Sequence, residues 1–451
     1  MLQTETKKNG VAKELMNYQK KIMSGNELNC LLTINEFPVK KVLEHYHIHG
    51  KHFVSKEVHH ELKVIKDCLD KDGSKMEESG QYLSYFLNNL LDKHLEQYNY
   101  RSYISTYFLE NLMRDKNLSY TAYLDTRIFH LITILCDIAR FECETLSGKE
   151  KRFKNLLISN QKRKKRVLNL FKSIRTYSDF TTKVKIPDSL EEIINQWVNE
   201  SANDSPVSSE LEKLSLDFIS TIQDQIPQDL KLVLEMSIIP VWVVHDEYMF
   251  IRVLQCFEMI FSIVIKGFLI CQTHIQNGSF SEAESIMNSL IEVYRANPTL
   301  FRLLMTMDKD NFSAFRVYTE GASAIQSEQY KMIELLAAHP IEKRLNSPAF
   351  QSVPRLENRY KTDGIINFEE ILKVILEDDE TKHNNAFNNF LVSMKKFEEQ
   401  FLLWKNTHYK IAIKVLGLQR GTGNTSGPSY LEMYVKSPLF PFLKNYEEES
   451  N

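Results

Sequence analysis

The sequence predicts an all-α protein with a substantial globular core. Only 14 of the 451 residues are glycine and 12 are proline, whereas average use would be about 7% and 5%. Apolar residues recur at three- and four-residue steps, as in segments 82–95 and 123–144, which is the period of an amphipathic helix. A hydrophobic share of 43% and a charged share of 25% are typical of a soluble chain that buries a core.

The same periodicity predicts most of the remaining helices. Segment 171–197 is predicted to be helical with an interruption at Pro187, where a new helix can begin. Strand-like alternation is brief and lies mainly at 45–54, and the proline-containing segment 340–363 is predicted to be a long loop. Further helices are predicted at 211–225, 246–272, 281–296, 327–338 and 385–416.

A polar segment at 199–209 is the clearest linker signal, because small and polar residues surround Pro206 there. It predicts an N-terminal helical region, residues 1–200, without an assigned function. The second predicted domain, residues 207–451, follows the linker.

Composition excludes several classes of protein. A net charge of −3 gives no global sign of a nucleic acid or an anionic membrane as partner. The six cysteines are far apart, and their spacing favours reduced core residues over disulfides or a zinc site. The N-terminus is polar, without a secretory signal. The apolar segment 257–275 carries Glu258 and Lys266, which favours a buried core helix over a membrane-spanning one. Because reduced cysteines are typical of the cytoplasm, we expect a cytoplasmic protein.

A histidine cluster and a basic run could each form a binding site, but a structural role on the surface is the favoured interpretation of both. In a strand, His45, His47 and His49 would share one face and could hold zinc or copper. No sulfur or carboxylate completes the set at a fixed offset, so solvated histidines are expected. The basic run 162–166 could bind phosphate, but its charges spread around a helix and favour an exposed, solvated face.

A glycine-rich segment follows the last long helix. Gly421, Gly423 and Gly427 alternate with hydroxyl and amide side chains. Because glycine has no Cβ, such a loop lets backbone amides approach a ligand closely. Alone, this pattern indicates only a site for an anion or a polar group.

Three ordered blocks of residues resemble the tryptophan 2,3-dioxygenase superfamily, which includes the indoleamine 2,3-dioxygenases. The C-terminal block resembles the family signature W-R-x-x-H…G…G-T-G-G-S-S-G…Y-L at Trp404, His408, Gly417, Gly421, Thr422, Gly423, Ser426, Gly427, Tyr430 and Leu431. The family's D-E-x-L-F-I helix is similar to residues 246–251, followed by Gln255 and Glu258. Its third block is similar to Phe312, Arg316, Ala322, Ser323, Gln326, Ser327 and Glu334.

The resemblance implies a helical domain that binds haem b and an aromatic amino acid, and that uses O2. It implies His408 as the proximal ligand of the haem iron, with Trp404 and Ser323 at the cofactor. Arg316 falls on the arginine that pairs with the substrate carboxylate, and a guanidinium matches a carboxylate with two parallel donors. Thr422 falls on the contact to the substrate ammonium group. The resemblance also allows a homo-oligomer.

The sequence departs from the family pattern around the substrate. Leu254 occupies the position of the distal histidine, which indoleamine dioxygenases also lack, so no acid or base is assigned there. Phe312 stands where tryptophan enzymes often carry tyrosine, and Asn424 follows Gly423 where the family has glycine. Three functions therefore remain open: a tryptophan dioxygenase-like enzyme, a haem enzyme of secondary metabolism that hydroxylates or rearranges a tryptophan derivative, and a haem-binding sensor without turnover.

Overall fold

The computed structural model describes residues 2–23, 34, 36–71, 78–113, 117–150, 152–153, 156–362, 364–416 and 427–444. Helices dominate this part of the chain, and it contains no β-strand, which confirms the predicted all-α class. The helices are α1 (Leu2–Met23), α2 (Val39–His49), α3 (Lys56–Lys71), α4 (Glu78–Leu91), α5 (Tyr100–Tyr103), α6 (Thr106–Met113), α7 (Tyr120–Leu146), α8 (Asn160–Ser178), α9 (Leu190–Glu200), α10 (Ser209–Gln223), α11 (Gln228–Met236), α12 (His245–Gln276), α13 (Phe280–Arg295), α14 (Pro298–Leu304), α15 (Lys309–Arg316), α16 (Glu328–Ala337), α17 (Glu342–Leu345), α18 (Pro348–Gln351), α19 (Pro354–Thr362), α20 (Phe368–Ile375), α21 (Asp379–Lys382), α22 (Asn385–Leu416) and α23 (Pro428–Val435). Short 3₁₀ turns lie at Lys51–Phe53, Val317–Thr319 and Ala324–Gln326.

Two long helices, α12 and α22, organise the main core. Helix α12 packs against α7, α13 and α16, and α13 packs in turn against α22. By length and composition alone α12 could cross a membrane, but most of its apolar stretch is buried inside the protein. It is therefore the buried core helix that the sequence predicted.

The stripe of α22 that faces the core follows a strict three- and four-residue alternation. The side chain of Asn384 accepts hydrogen bonds from the backbone amides of Ala386 and Phe387 at 2.9 and 3.2 Å, and so caps the start of the helix. The buried positions of the stripe are Phe387, Phe390, Met394, Phe397 and Phe401. The next steps of three and four residues reach Trp404 and His408, so the same periodicity that builds the core aims His408 inward.

One continuous hydrophobic core includes helices from both sides of the linker. Residues of α7 and α8 belong to it together with residues of α12, α13 and α22. The linker runs over the surface without helical structure at 201–208. A second, smaller core lies among α1, α2, α3 and α4, and Met236 and Ile239 also belong to it.

The strand-like interpretation of 45–54 is wrong. Val39, Val42, Leu43 and Tyr46 are buried at helical spacing, and these apolar contacts select helix α2 over a strand. His45 and His47 are also wrongly predicted to be solvated, because only 4% and 7% of their surfaces are exposed. Among the described residues, no three histidine, cysteine or acidic side chains are grouped to hold a metal ion.

The basic run in α8 is mostly buried, which corrects the prediction of a solvated face. Arg166 is fully buried and donates to Glu142 at 2.7 Å and to Asp246 at 2.6 Å. Lys164 donates to the carboxylate of Glu200 at 3.0 Å. Buried charges persist when they are paired in this way, so these residues join α8 to α7, α9 and α12 instead of binding an external phosphate.

The predicted long loop at 340–363 is also wrong, because α17, α18 and α19 lie there. Proline begins α18 and α19, which suits its fixed φ at the first helical position. The side chain of Ser347 accepts a hydrogen bond from the amide of Phe350 at 3.3 Å and caps α18. Four of the five described cysteines are buried, in agreement with the predicted core positions.

Candidate functional site

A cavity of about 260 Å³ lies between α12, α15 and α22. One wall comes from α12, where Phe250, Leu254, Phe257 and Phe261 recur at steps of four, three and four residues. The opposite wall comes from α22, and segment 312–331 and α23 close the sides. The lining is mainly apolar and aromatic, which is typical of a pocket for a cofactor or a small ligand.

His408 opens onto this cavity from α22. Its ring lies 5.4 Å from the ring of Trp404 and nearly parallel to that of Phe301 at 6.1 Å. Burial among these rings lowers the pKa of His408 to about 4. The imidazole is therefore neutral at pH 7, which is the form that binds a metal.

Trp404 lines the cavity one helical turn before His408 and packs against Phe257 and Phe261 of the opposite wall. Its indole N–H is buried, and no acceptor for it lies among the described residues. A buried donor without a partner is costly. A ligand with an acceptor atom beside Trp404 would relieve that cost.

Leu254 and Phe312 form an apolar surface in the cavity, and each is about 8% exposed. The ring of Phe312 packs against Phe250 at 5.5 Å and Phe315 at 5.4 Å. Neither side chain can exchange a proton or accept a hydrogen bond. This surface can exclude water and hold an aromatic ring, but it supplies no acid or base.

Arg316, the last residue of α15, is a half-buried cation in the cavity lining. Within the described part of the chain its guanidinium has no hydrogen bond and no ion pair, and it lies 6.0 Å from the ring of Phe312. Burial lowers the pKa of Arg316, with no nearby carboxylate to offset it. The group is thus available for an anionic ligand.

Ser323 lies in the cavity lining at the start of a 3₁₀ turn, in a capping box with Gln326. The amide oxygen of Gln326 accepts from the backbone N–H of Ser323 at 3.2 Å and from that of Tyr100 at 3.0 Å. Tyr100 and Tyr103 of α5 also line the cavity. The N-terminal half therefore forms part of the pocket wall, a role that no local pattern in the sequence indicated.

Further ionisable groups surround the cavity. Burial raises the pKa of Glu258 to about 7, and its carboxyl accepts from the Tyr100 hydroxyl at 3.1 Å. Burial also lowers the pKa of Lys331 to about 7, and its ammonium donates to the carbonyl of Ser327 at 3.3 Å. Arg344 and Lys405 add two cations to the lining. These groups were not predicted from the sequence as site residues.

The structure thus brings together Leu254, Phe312, Arg316, Ser323 and His408, with Trp404 beside them, in one cavity. Thr422, Gly423 and Asn424 lie outside the described residues. Their contacts to the substrate remain predictions.

The described residues fit a haem group. A neutral imidazole, His408, projects into a cavity whose aromatic walls suit a flat macrocycle. The unpartnered N–H of Trp404 and the ammonium group of Lys405 match the acceptor atoms that carboxylate substituents carry.

The chain is similar in sequence to several bacterial tryptophan 2,3-dioxygenases. The chain is 23% identical over 226 residues to a tryptophan 2,3-dioxygenase of Herpetosiphon aurantiacus, covering 44% of this chain and 86% of that protein. It is 23% identical over 234 residues to a tryptophan 2,3-dioxygenase of an Arthrobacter species, covering 44% and 81%. A Ruegeria tryptophan 2,3-dioxygenase is 25% identical over 234 residues, covering 44% and 82%. No protein-family model matches the chain.

Proposed function

Because the chain is a divergent member of the tryptophan 2,3-dioxygenase-like superfamily, we propose that it is a haem-dependent oxygenase. Its substrates are L-tryptophan, or a related indole or other aromatic amino acid, and O2. The observation that carries the proposal is a neutral, partly buried His408 in the same cavity as the unpaired guanidinium of Arg316. Such a cavity offers one group for a metal and one for a carboxylate.

The cofactor would lie between α12 and α22. His408 would bind the iron through a ring nitrogen that is free of a proton at pH 7. When bound, haem would supply the redox centre at which O2 is activated. Ser323 and Trp404 line the same cavity and would contact its periphery.

The substrate would be positioned by charge at one end and by apolar contact at the other. Arg316 would bind the carboxylate, and Thr422 the ammonium group, with Gly423 and Asn424 beside it. Leu254 and Phe312 would hold the indole ring and exclude water. The side chain of Leu254 cannot accept a proton. Positioning of the substrate would therefore supply most of the protein's own contribution to catalysis.

The division into an N-terminal region, residues 1–200, and a haem and substrate domain, residues 207–451, belongs to the same proposal. We also expect the protein in the cytoplasm. The net charge of −3 offers no general attraction for a nucleic acid or an anionic membrane. A homo-oligomer is compatible with this proposal.

The test begins with the absorbance spectrum of the purified protein after haem is added. Wild-type protein is expected to give a Soret band, and His408→Ala is expected to lose most of its haem affinity. His130→Ala is the matched control, because desolvation lowers the pKa of His130 as it does that of His408, here to about 3, but His130 does not line the cavity. Full haem retention with unchanged spectra in His408→Ala would refute the assignment of the iron ligand.

The reaction is then tested with reduced protein, L-tryptophan and O2. A product that gains two oxygen atoms and keeps its carbon count supports ring-cleaving dioxygenation. A gain of one oxygen atom favours the hydroxylating enzyme of secondary metabolism. A Soret band without any consumption of O2 would favour a haem-binding sensor and contradict the proposed enzyme.

A further inference from the structure

The N-terminal half contacts segment 316–326 through His52, Phe53, Lys93 and Tyr100. We call this segment the wall segment because it forms one side of the cavity. We propose that Lys93 and His52 are positioning residues that hold Arg316 where it can bind the carboxylate of the substrate. This inference rests on the proposed function. It gives the N-terminal half a part in substrate recognition.

Lys93 holds the wall segment at Thr319. Its ammonium group donates to the carbonyl oxygen of Thr319 at 3.1 Å, and only 8% of Lys93 is exposed. The hydroxyl of Thr319 donates in turn to the carbonyl oxygen of Arg316 at 2.8 Å. Two hydrogen bonds therefore connect Lys93 to the backbone of Arg316. A charged donor in a buried place forms one of the stronger bonds of this kind.

His52 holds the next part of the wall segment. Its Nε2 lies 3.0 Å from the carbonyl oxygen of Tyr318 and 3.5 Å from a carboxylate oxygen of Glu320. The His52 ring also packs against the ring of Tyr318 at 5.1 Å. Glu320 has a φ of 50°, a left-handed conformation that a non-glycine residue keeps only where its surroundings hold it.

The far end of the wall segment is held by Tyr100. Its backbone N–H donates to Gln326, whose side chain also accepts from the backbone of Ser323. The N-terminal half thus restrains the wall segment near both ends. Arg316 begins the wall segment, two and three residues before the positions that His52 and Lys93 hold. Its guanidinium has no hydrogen bond or ion pair among the described residues, so its direction depends largely on its backbone. A displacement of about 1 Å at such a group can cost about 100-fold in rate.

The experiment compares two probes that differ in the carboxylate alone, L-tryptophan and tryptamine. Their Kd values are measured by calorimetry on the ferric haem-loaded protein. Lys93→Met is expected to reduce the preference for L-tryptophan over tryptamine about tenfold, which is the effect of losing roughly one charged hydrogen bond. The Kd of tryptamine and the Soret band stay unchanged. Lys93→Arg, which keeps a charged donor, restores most of the preference.

Lys164→Met is the matched control. Lys164 is also a buried lysine that donates to a backbone carbonyl, that of Glu200 at 3.1 Å, but it does not line the cavity or touch the wall segment. Its variant is expected to keep the full preference. If Lys93→Met does not fold, His52→Leu is measured in the same way, with His52→Gln as the variant that keeps a donor.

Two outcomes overturn the inference. One is a Lys93→Met protein that keeps the wild-type preference, and the other is an equal loss of affinity for both probes, which indicates general destabilisation. A wild-type protein that binds neither probe, or binds both equally, would overturn the proposed carboxylate site at Arg316 and this inference with it. That failure is visible before any Lys93 variant is made.

Discussion

Replacing Arg316 by methionine is expected to remove the charge that selects an amino acid. Removing one partner of a fully buried charge pair costs about 2–5 kcal/mol of binding free energy. An exposed charge pair contributes only about 0–1 kcal/mol. Arg316 is half-buried and its pKa is lowered by desolvation alone, so it falls between these limits. We expect a loss of about 2 kcal/mol, or a roughly 30-fold rise in the Kd of L-tryptophan.

The assay is a titration of ferric protein with L-tryptophan, followed by absorbance and calorimetry. Arg302→Met is the matched control, because Arg302 lies on neighbouring α14, carries the same charge and points to solvent. It is expected to change the Kd less than twofold, since screened surface charges contribute little. A Kd for L-tryptophan that is equal in Arg316→Met and wild type would refute the reasoning and place the carboxylate elsewhere.

Three further predictions concern the pocket, the fold and acid stability. Leu254→His is expected to add an ionisation to the profile of kcat/KM below the ordinary imidazole pKa of about 6.5, because the apolar lining that lowers the pKa of His408 also surrounds position 254. An unchanged profile would show that position 254 does not face the substrate. Gly50→Ala is expected to lower the free energy of unfolding in urea by about 3 kcal/mol, because its φ is 77° and a Cβ would lie 2.7 Å from the carbonyl of Val241. Gly278→Ala, with a φ of 74° and open space around it, is expected to lose only about 1 kcal/mol. The free energy of unfolding is expected to fall as pH drops from about 6.5 to 4, because histidines in the unfolded chain take up protons that buried histidines with a lowered pKa do not. His130→Gln is expected to make the free energy of unfolding depend less on pH in this range. Those histidines are His47, His59 and His130.

The long helices could be predicted from sequence because their apolar period is undisturbed. Helix α22 begins and ends where the period predicted. Helix α2 could not be predicted from the sequence, because buried histidines alternate with apolar residues there. Only the packing against Ile238 and Phe153 shows that His47 is an interior residue. The short helices at 342–362 also gave no periodic signal, since four to nine residues span only one or two turns.

The site residues on α12, α15 and α22 could be identified because each lies in a block whose spacing resembles the family. The contribution of α5 to the cavity wall could not be identified from the sequence. Tyr100 reaches Glu258 across 158 positions of sequence, and such a contact exists only after the helices pack. The cations that surround the cavity were missed for the same reason, as Lys331 and Lys405 look like ordinary surface lysines in the sequence.

The linker between α9 and α10 has a consequence for how the protein would respond to a protease. Residues 202–206 are exposed, and exposed polar segments are preferred sites of cleavage. The helices on either side nevertheless share one hydrophobic core, so a single cut there would not release either half. The two fragments would stay associated and keep the cavity closed, and the nicked protein would separate only in a denaturant.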